Sequence, residues 1–420
     1  MRPQLYCAAI VLSGLCAAGA LAQTAGRVQR STIEENAKKL DVGASKQSPS
    51  GLGHVIAPNV VFAPTVTLES GYNTNPDEFF SDEEASPYGL ANATGVFGFL
   101  HSAGATTLAL RGTFQQYSDD IARSGRWDAG VAIDNAYTVA PNMLATFGAF
   151  YLRDEISLTA SDNEGAYSQL AYKDSDFEAF VRVKGDQIGY LGEVTSATAT
   201  PTELLLLQPS QFDMRRTETV SGFIFGPNAR IGVYGELGGG LIDYTEQTLE
   251  SILDRDADEL WAVTGFRFNL HPTLVIDAGW RFNWREADET SIDAEDSNFF
   301  DGRLTWTPLA ELQFVVEVDR RYSEPLSTLA IFSDKTHYGA SVVYKVRPDL
   351  ELSAGLRHDQ IEQVGDIFDY HETEVSFAVA HQWSDSTTLY GLISNEHVEE
   401  QETGQSYDRL QVGAGTKIKF

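Results

Sequence analysis

Chemistry in this sequence would have to come from its many carboxylates, its arginines and its 8 histidines. The acidic run Asp254-Arg255-Asp256-Ala257-Asp258-Glu259 invites a calcium reading. A twelve-residue calcium loop needs glycine at its sixth position and glutamate at its twelfth; Glu259 and Gly265 stand there instead. That stretch, Asp82-Glu83-Glu84 and Glu399-Glu400 read as solvated loops, which could at most share divalent cations with lipopolysaccharide phosphates. An enzyme would need a nucleophile or an activated water with histidine and carboxylate partners. Neither Gly-x-Ser-x-Gly nor His-Glu-x-x-His occurs. His54, His101 and His271 fall in the leader or at short turns, and His358 and His381 on outward faces near strand ends. We expect no catalytic, cofactor-binding or metal-ligating residue.

What remains is charge at alternate positions. Arg111, Arg267, Asp277, Arg281, Arg285, Asp301, Arg303, Glu317, Asp319, Arg321, Glu351 and Arg357 lie on the polar face of segments whose other face is apolar. In 274–285 the apolar face is Leu274, Ile276, Ala278, Trp280, Phe282 and Trp284, with Val275 an exception on the polar side. The same division recurs in 312–321 and 350–359. Period-two alternation over ~10 residues is the pattern of a tilted strand crossing a bilayer. A face holding both signs lines a water-filled path, or pairs within itself in a structural barrel. Sequence leaves both open.

The elements that would position these charges are strands joined by alternating connections. Short ones carry turn residues: Ala140-Pro141-Asn142, Gly226-Pro227-Asn228, His271-Pro272, Thr307-Pro308-Leu309, Arg347-Pro348-Asp349 and Ser384-Asp385-Ser386. Longer polar ones span 73–87, 119–126, 245–258, 286–297, 323–335 and 396–406. This asymmetry belongs to an outer-membrane barrel, with short turns periplasmic and long loops extracellular. The expected fold is all-β: one closed antiparallel transmembrane barrel over 59–420, of about 18 strands, or 16. Tyr72, Tyr117, Trp127, Tyr137, Trp284, Trp306, Tyr344, Trp383 and Tyr407 are candidates for its interfacial girdles.

The two ends agree with export. Residues 1–22 read as a secretory signal, with Arg2, the apolar Cys7 to Leu15, and Ala20-Leu21-Ala22 before the cut. Both cysteines, Cys7 and Cys16, would leave with it. Residues 23–58, with a capping-box spacing at Ser31 to Glu34 and a Gly/Ser-rich stretch after Val42, read as a flexible periplasmic segment. The last strand ends on Phe420, with Gly415 and Ile418 spaced as in the signal read by the barrel assembly machinery.

A formal net charge of −30 disfavours nucleic acid and other anionic partners. No stretch is apolar enough for a spanning helix.

The opening strand closes on Tyr72-Asn73-Thr74-Asn75-Pro76 before an acidic loop and evenly spaced hairpins. In this it resembles the β-barrel porin-2 family over residues 60–420. The resemblance implies a passive outer-membrane conduit for export of an extracellular polysaccharide, working with periplasmic export components. A general small-solute porin is the rival reading, and a barrel enzyme a third.

Overall fold

The computed structural model describes residues 54–74, 85–118, 125–154, 161–190, 213–244, 255–288, 295–323, 332–364 and 369–420. They form strands β1 (His54–Ala57), β2 (Val60–Asn73), β3 (Ser86–His101), β4 (Gly104–Tyr117), β5 (Arg126–Ala140), β6 (Met143–Asp154), β7 (Ser161–Lys173), β8 (Phe177–Tyr190), β9 (Met214–Phe225) and β10 (Ile231–Tyr244). The chain continues as β11 (Ala257–His271), β12 (Leu274–Ala287), β13 (Glu295–Leu309), β14 (Leu312–Ser323), β15 (Phe332–Arg347), β16 (Leu350–Val364), β17 (Tyr370–Gln382), β18 (Thr387–Glu400) and β19 (Ser406–Lys419). From β2 onward each strand pairs antiparallel with the next, and β19 returns to β2. The result is a closed barrel of eighteen strands. The expected signal and most of the leader, 1–53, lie outside the described residues, as do Asp82-Glu83-Glu84 and Asp254.

Alternation sets the two faces. In β12, Trp280 and Phe282 are exposed outside while Arg281, Asn283 and Arg285 are buried inside. Leu237, Phe266, Val316 and Phe377 likewise stand out on other strands. A continuous apolar exterior with every ladder closed is what lipid requires, since no water can satisfy a free strand edge there.

Several expected boundaries move. Residues 307–309 are not a turn: Pro308 sits within β13 at a register shift between Trp306 and Leu309, and the chain reverses at Ala310-Glu311. A bulge accommodates proline, which has no N–H for the ladder. Most of 396–406 is strand as well, and only 401–405 connects β18 to β19. Two of the girdle candidates point inward: Tyr117 is 3% exposed and stacks near Tyr88, and Tyr407 is 9% exposed. Each falls on the inner side of the alternation, so aromatic type alone misassigned it. Finally, His54–Ala57, placed by sequence in the segment outside the ladder, form a short strand paired with β2.

The closing seam between β19 and β2 is fastened across four strands. Glu69 on β2 accepts hydrogen bonds from Tyr88 of β3 at 2.6 Å and Tyr390 of β18 at 2.7 Å, and Gln411 of β19 donates to the Tyr88 hydroxyl at 2.9 Å. The tyrosines lie across glycines to do this. A Cβ at Gly415 would meet the Tyr390 ring and the Leu68 carbonyl at 2.5 Å. Gly415 therefore has a packing reason to be glycine, whatever its part in assembly. Ile418 and Phe420 fall on the outer side of β19, Phe420 exposed, and the Phe420 N–H donates to the Pro64 carbonyl.

Candidate functional site

The inner wall carries one feature that spans half of its circumference, nine of the eighteen strands. Cross-strand partners place Arg267, Asp277, Arg303, Glu317, Gly339, Arg357, Glu374, Glu396 and Arg409 side by side on β11 to β19. Because barrel strands tilt, such a row climbs the wall as it goes round. It starts four residues from the β11–β12 turn and ends near the β18–β19 connection at the opposite rim. The charges alternate in sign over its first half. Neighbours bond where they meet: Arg267 grips both oxygens of Asp277 at 2.9 Å, and Arg303 lies 3.9 Å from Glu317. Arg357 gathers Glu372, Glu374 and Glu396, and Arg409 takes the other Glu396 oxygen. At Gly339 the row has no side chain, and Glu317 and the His337 ring fill the space.

A second network sits nearer the rim of long connections. Arg285 donates to Glu259 at 2.9 Å, Arg216 reaches the other oxygen of Glu259, and Arg182 pairs with Glu218 at 2.7 Å. Arg281 pairs with Asp301 at 3.2 Å and Arg321 with Asp319 at 2.7 Å. Arg111 meets Asp128 at 3.4 Å. Glu351 stands near the turn end, opposite Lys345 and Ala380. The structure thus brings eleven of the twelve charges singled out from sequence into ion pairs, with Glu351 apart. Glu396, Arg409, Arg216 and Glu218 were not among those twelve. Glu396 was missed because its segment read as loop; alternation from Tyr390 to Glu400 was the available signal.

One hairpin leaves the wall. β13 and β14 pair only from Leu309↔Leu312 up to Gly302↔Val318, whereas β14 and β15 stay paired to Ser323↔Ser333. Beyond Val318 the β14–β15 end leans across the inner face of β12. Asn283 of β12 donates to the Arg320 carbonyl at 3.0 Å, and the Arg285 guanidinium lies 4.8 Å from the centre of the Phe332 ring. Tyr322 and Phe332 pack with Ala287 and Val364. Phe332 is 1% exposed and Arg285 fully buried. This inward hairpin narrows the lumen at its loop end.

His337 and Asp359 form the most enzyme-like pair on the wall, 2.6 Å apart. Their other charged partners are Glu317, Lys335 and Arg357, not a hydroxyl or thiol. Among the described residues, no cluster of three or more His, Cys, Asp or Glu side chains is placed to hold a metal ion.

A closed eighteen-stranded antiparallel barrel, apolar outside and charged inside, defines an outer-membrane β-barrel protein whose strands cross the membrane many times. No family model matches the chain, and no curated protein matches it. Among solved structures, the outer membrane protein opdK from Pseudomonas aeruginosa is 11% identical, covering 85% of this chain and 99% of its own, with a TM-score of 0.48. OccAB2 from Acinetobacter baumannii is 10% identical over 89% of this chain and 100% of its own, with a TM-score of 0.49. An anion-selective porin from Comamonas acidovorans is 10% identical over 86% and 99%, with a TM-score of 0.39. At that level the likeness carries no argument about what this barrel transports. The resemblance to the β-barrel porin-2 family has Tyr72 to Pro76 as its one compact motif, of which Asn75 and Pro76 lie outside the described residues.

Proposed function

We propose that this barrel is a passive outer-membrane pore for small polar solutes, with its short turns in the periplasm. The observation that carries the reading is the climbing row from Arg267 to Arg409, set beneath an inward hairpin. Paired charges of both signs keep the wall hydrated and offer donors and acceptors at every step without a deep trap of either sign. The hairpin favours small cargo, because it leaves less room for a polymer chain. Export of an extracellular polysaccharide, the other reading, is supported by the family resemblance alone.

Liposomes containing the purified protein test this directly. Monosaccharides and amino acids should enter at rates that fall steeply with size, and oligosaccharides should be excluded. In cells, a clean deletion should slow small-solute entry and leave any polymer coat intact. Loss of the coat with unchanged uptake would replace this reading with the export one.

A further inference from the structure

Glu236 is a lumenal carboxylate that stands outside both ion-pair networks. It points inward from the turn half of β10. Among the described residues it has one hydrogen bond, from the Trp261 indole N–H at 3.1 Å, and no arginine or lysine within ion-pair distance. The chief charges acting on it, Arg281, Asp301 and Arg182, are engaged elsewhere: Arg281 pairs with Asp301, and Arg182 with Glu218. One oxygen of Glu236, and its negative charge, are left over.

Three aromatic rings frame this carboxylate. Along the ladder Glu236 lies opposite Gly222 of β9 and Val263 of β11. Phe180 of β8 flanks Gly222 from the other side, its Cε1 2.6 Å from where a Gly222 Cβ would stand. Trp261 of β11 covers Gly238, the next inward position of β10 toward the loops. Tyr234, the next inward position toward the turns, reaches over Gly265, its Cζ 2.6 Å from a Cβ there. With no side chain at these glycines, each ring lies across the wall and turns a face to the water path. Glu236 and the three rings are partly exposed, while Gly222, Gly238 and Gly265 beneath them are buried.

Such a frame suits an anion poorly by itself. Aromatic faces carry the negative side of the ring quadrupole, and only a ring edge, such as the indole N–H, favours a carboxylate. A cation lodged between them satisfies both, through the ring faces and through the carboxylate. We infer that Glu236, Phe180, Tyr234 and Trp261 form a lumenal binding site for small organic ammonium ions. The site lies on the path of a solute. Its cross-strand row continues to Arg281, one inward step below Asn283, on which the inward hairpin rests. A solute passing the constriction toward the turns comes to this level next. The inference deepens the small-solute reading by naming a solute class, and rests on that reading only for what binding does to flux.

Calorimetry on the purified barrel in detergent, in sodium chloride buffer, tests the site directly. Choline should bind and glucose should not, because glucose offers no charge to Glu236. Glu236→Gln keeps an acceptor for the Trp261 N–H and removes the charge; it should weaken choline binding about tenfold or more. Tyr234→Leu should weaken it about fivefold through loss of one ring. Glu351→Gln, a lumenal carboxylate near the turn end, should leave choline affinity unchanged. No choline binding, choline bound no tighter than glucose, or an affinity untouched by Glu236→Gln would overturn the inference. Equal weakening by Glu351→Gln would overturn it too, in favour of bulk lumenal charge. Glucose bound in preference, and lost in Tyr234→Leu, would make the rings a sugar platform instead. If Glu236→Gln fails to assemble, Tyr234→Leu decides. Liposomes keep the two readings apart: failure of every solute to enter would end the pore reading while choline binding still decided the site.

Discussion

The two halves of the inner wall are built from the same strands with the same alternation, yet they behave differently. Toward the loop end the inward side chains are buried: Tyr88 with Tyr117, Met214 with Ile242 and Tyr244, and ion pairs such as Arg285–Glu259 among them, while Tyr322 and Phe332, on the outer side of the alternation, are buried by the inward lean of their hairpin. Toward the turn end they are more open: Arg303 has a side chain 43% exposed, and Lys345 and Lys419 are exposed. Facing inward is therefore not one environment. Inward charges near the turns include solvated ones, such as Arg303, and buried ones, such as Glu178 and Lys417, whereas Arg285 and Glu259 near the loops belong to a packed interior.

That contrast can be broken most forcefully at the hairpin anchor. Phe332→Ala should cost about 4 kcal/mol through loss of a fully buried ring, and should raise conductance by freeing the hairpin. Val343→Ala on the turn half of the same strand should cost about 1 kcal/mol or less. Urea unfolding from detergent and planar-bilayer recordings read both. Equal costs would mean that the two halves are equally packed.

Charge sharpens the comparison next. Arg285→Ala takes the partner of one oxygen of the buried Glu259, leaving Arg216 on the other, and should cost about 2 kcal/mol. Arg303→Ala removes a half-exposed partner of Glu317 and should cost about 1 kcal/mol or less. If the second substitution matched the first, solvation of the turn half would be refuted.

The smallest effect belongs to a turn outside the membrane. Asp174 is held below the usual aspartate range by the Tyr172 hydroxyl and then by the N–H groups of Asp176 and Phe177. A carboxyl whose folded value is lowered stabilises in full above its unfolded value, about pH 4, and loses that contribution as pH falls through the folded value. Asp174→Asn should thus be less stable than the parent at neutral pH, with the gap closing in acid. A gap independent of pH would show that the charge contributes nothing.

Much of the fold was legible because alternation is a local property of a pleated strand. The face taken by Trp280 or Arg281 follows from its position in β12 alone, and short turns such as Pro141-Asn142 announce themselves by residue type. Legibility failed where residue type and position disagree. Tyr117 and Tyr407 looked like interface aromatics, Pro308 looked like a turn, and 396–406 looked like a loop because it is acidic.

The sequence by itself determined the all-β barrel class and the apolar exterior, and left the crossings at about 18 or 16. It could not determine which inward charges meet. Arg357 and Glu396 are 39 positions apart on strands that are not neighbours, and Glu69 and Tyr390 are 321 apart across the closing seam. Those encounters depend on the register of every intervening strand and on closure of the ring. The departure of β14 from β13 above Val318 is likewise a tertiary decision. Tyr322 and Phe332 find burial with Ala287 and Val364 because their hairpin leans over the inner face of β12, and nothing in their own strands says so.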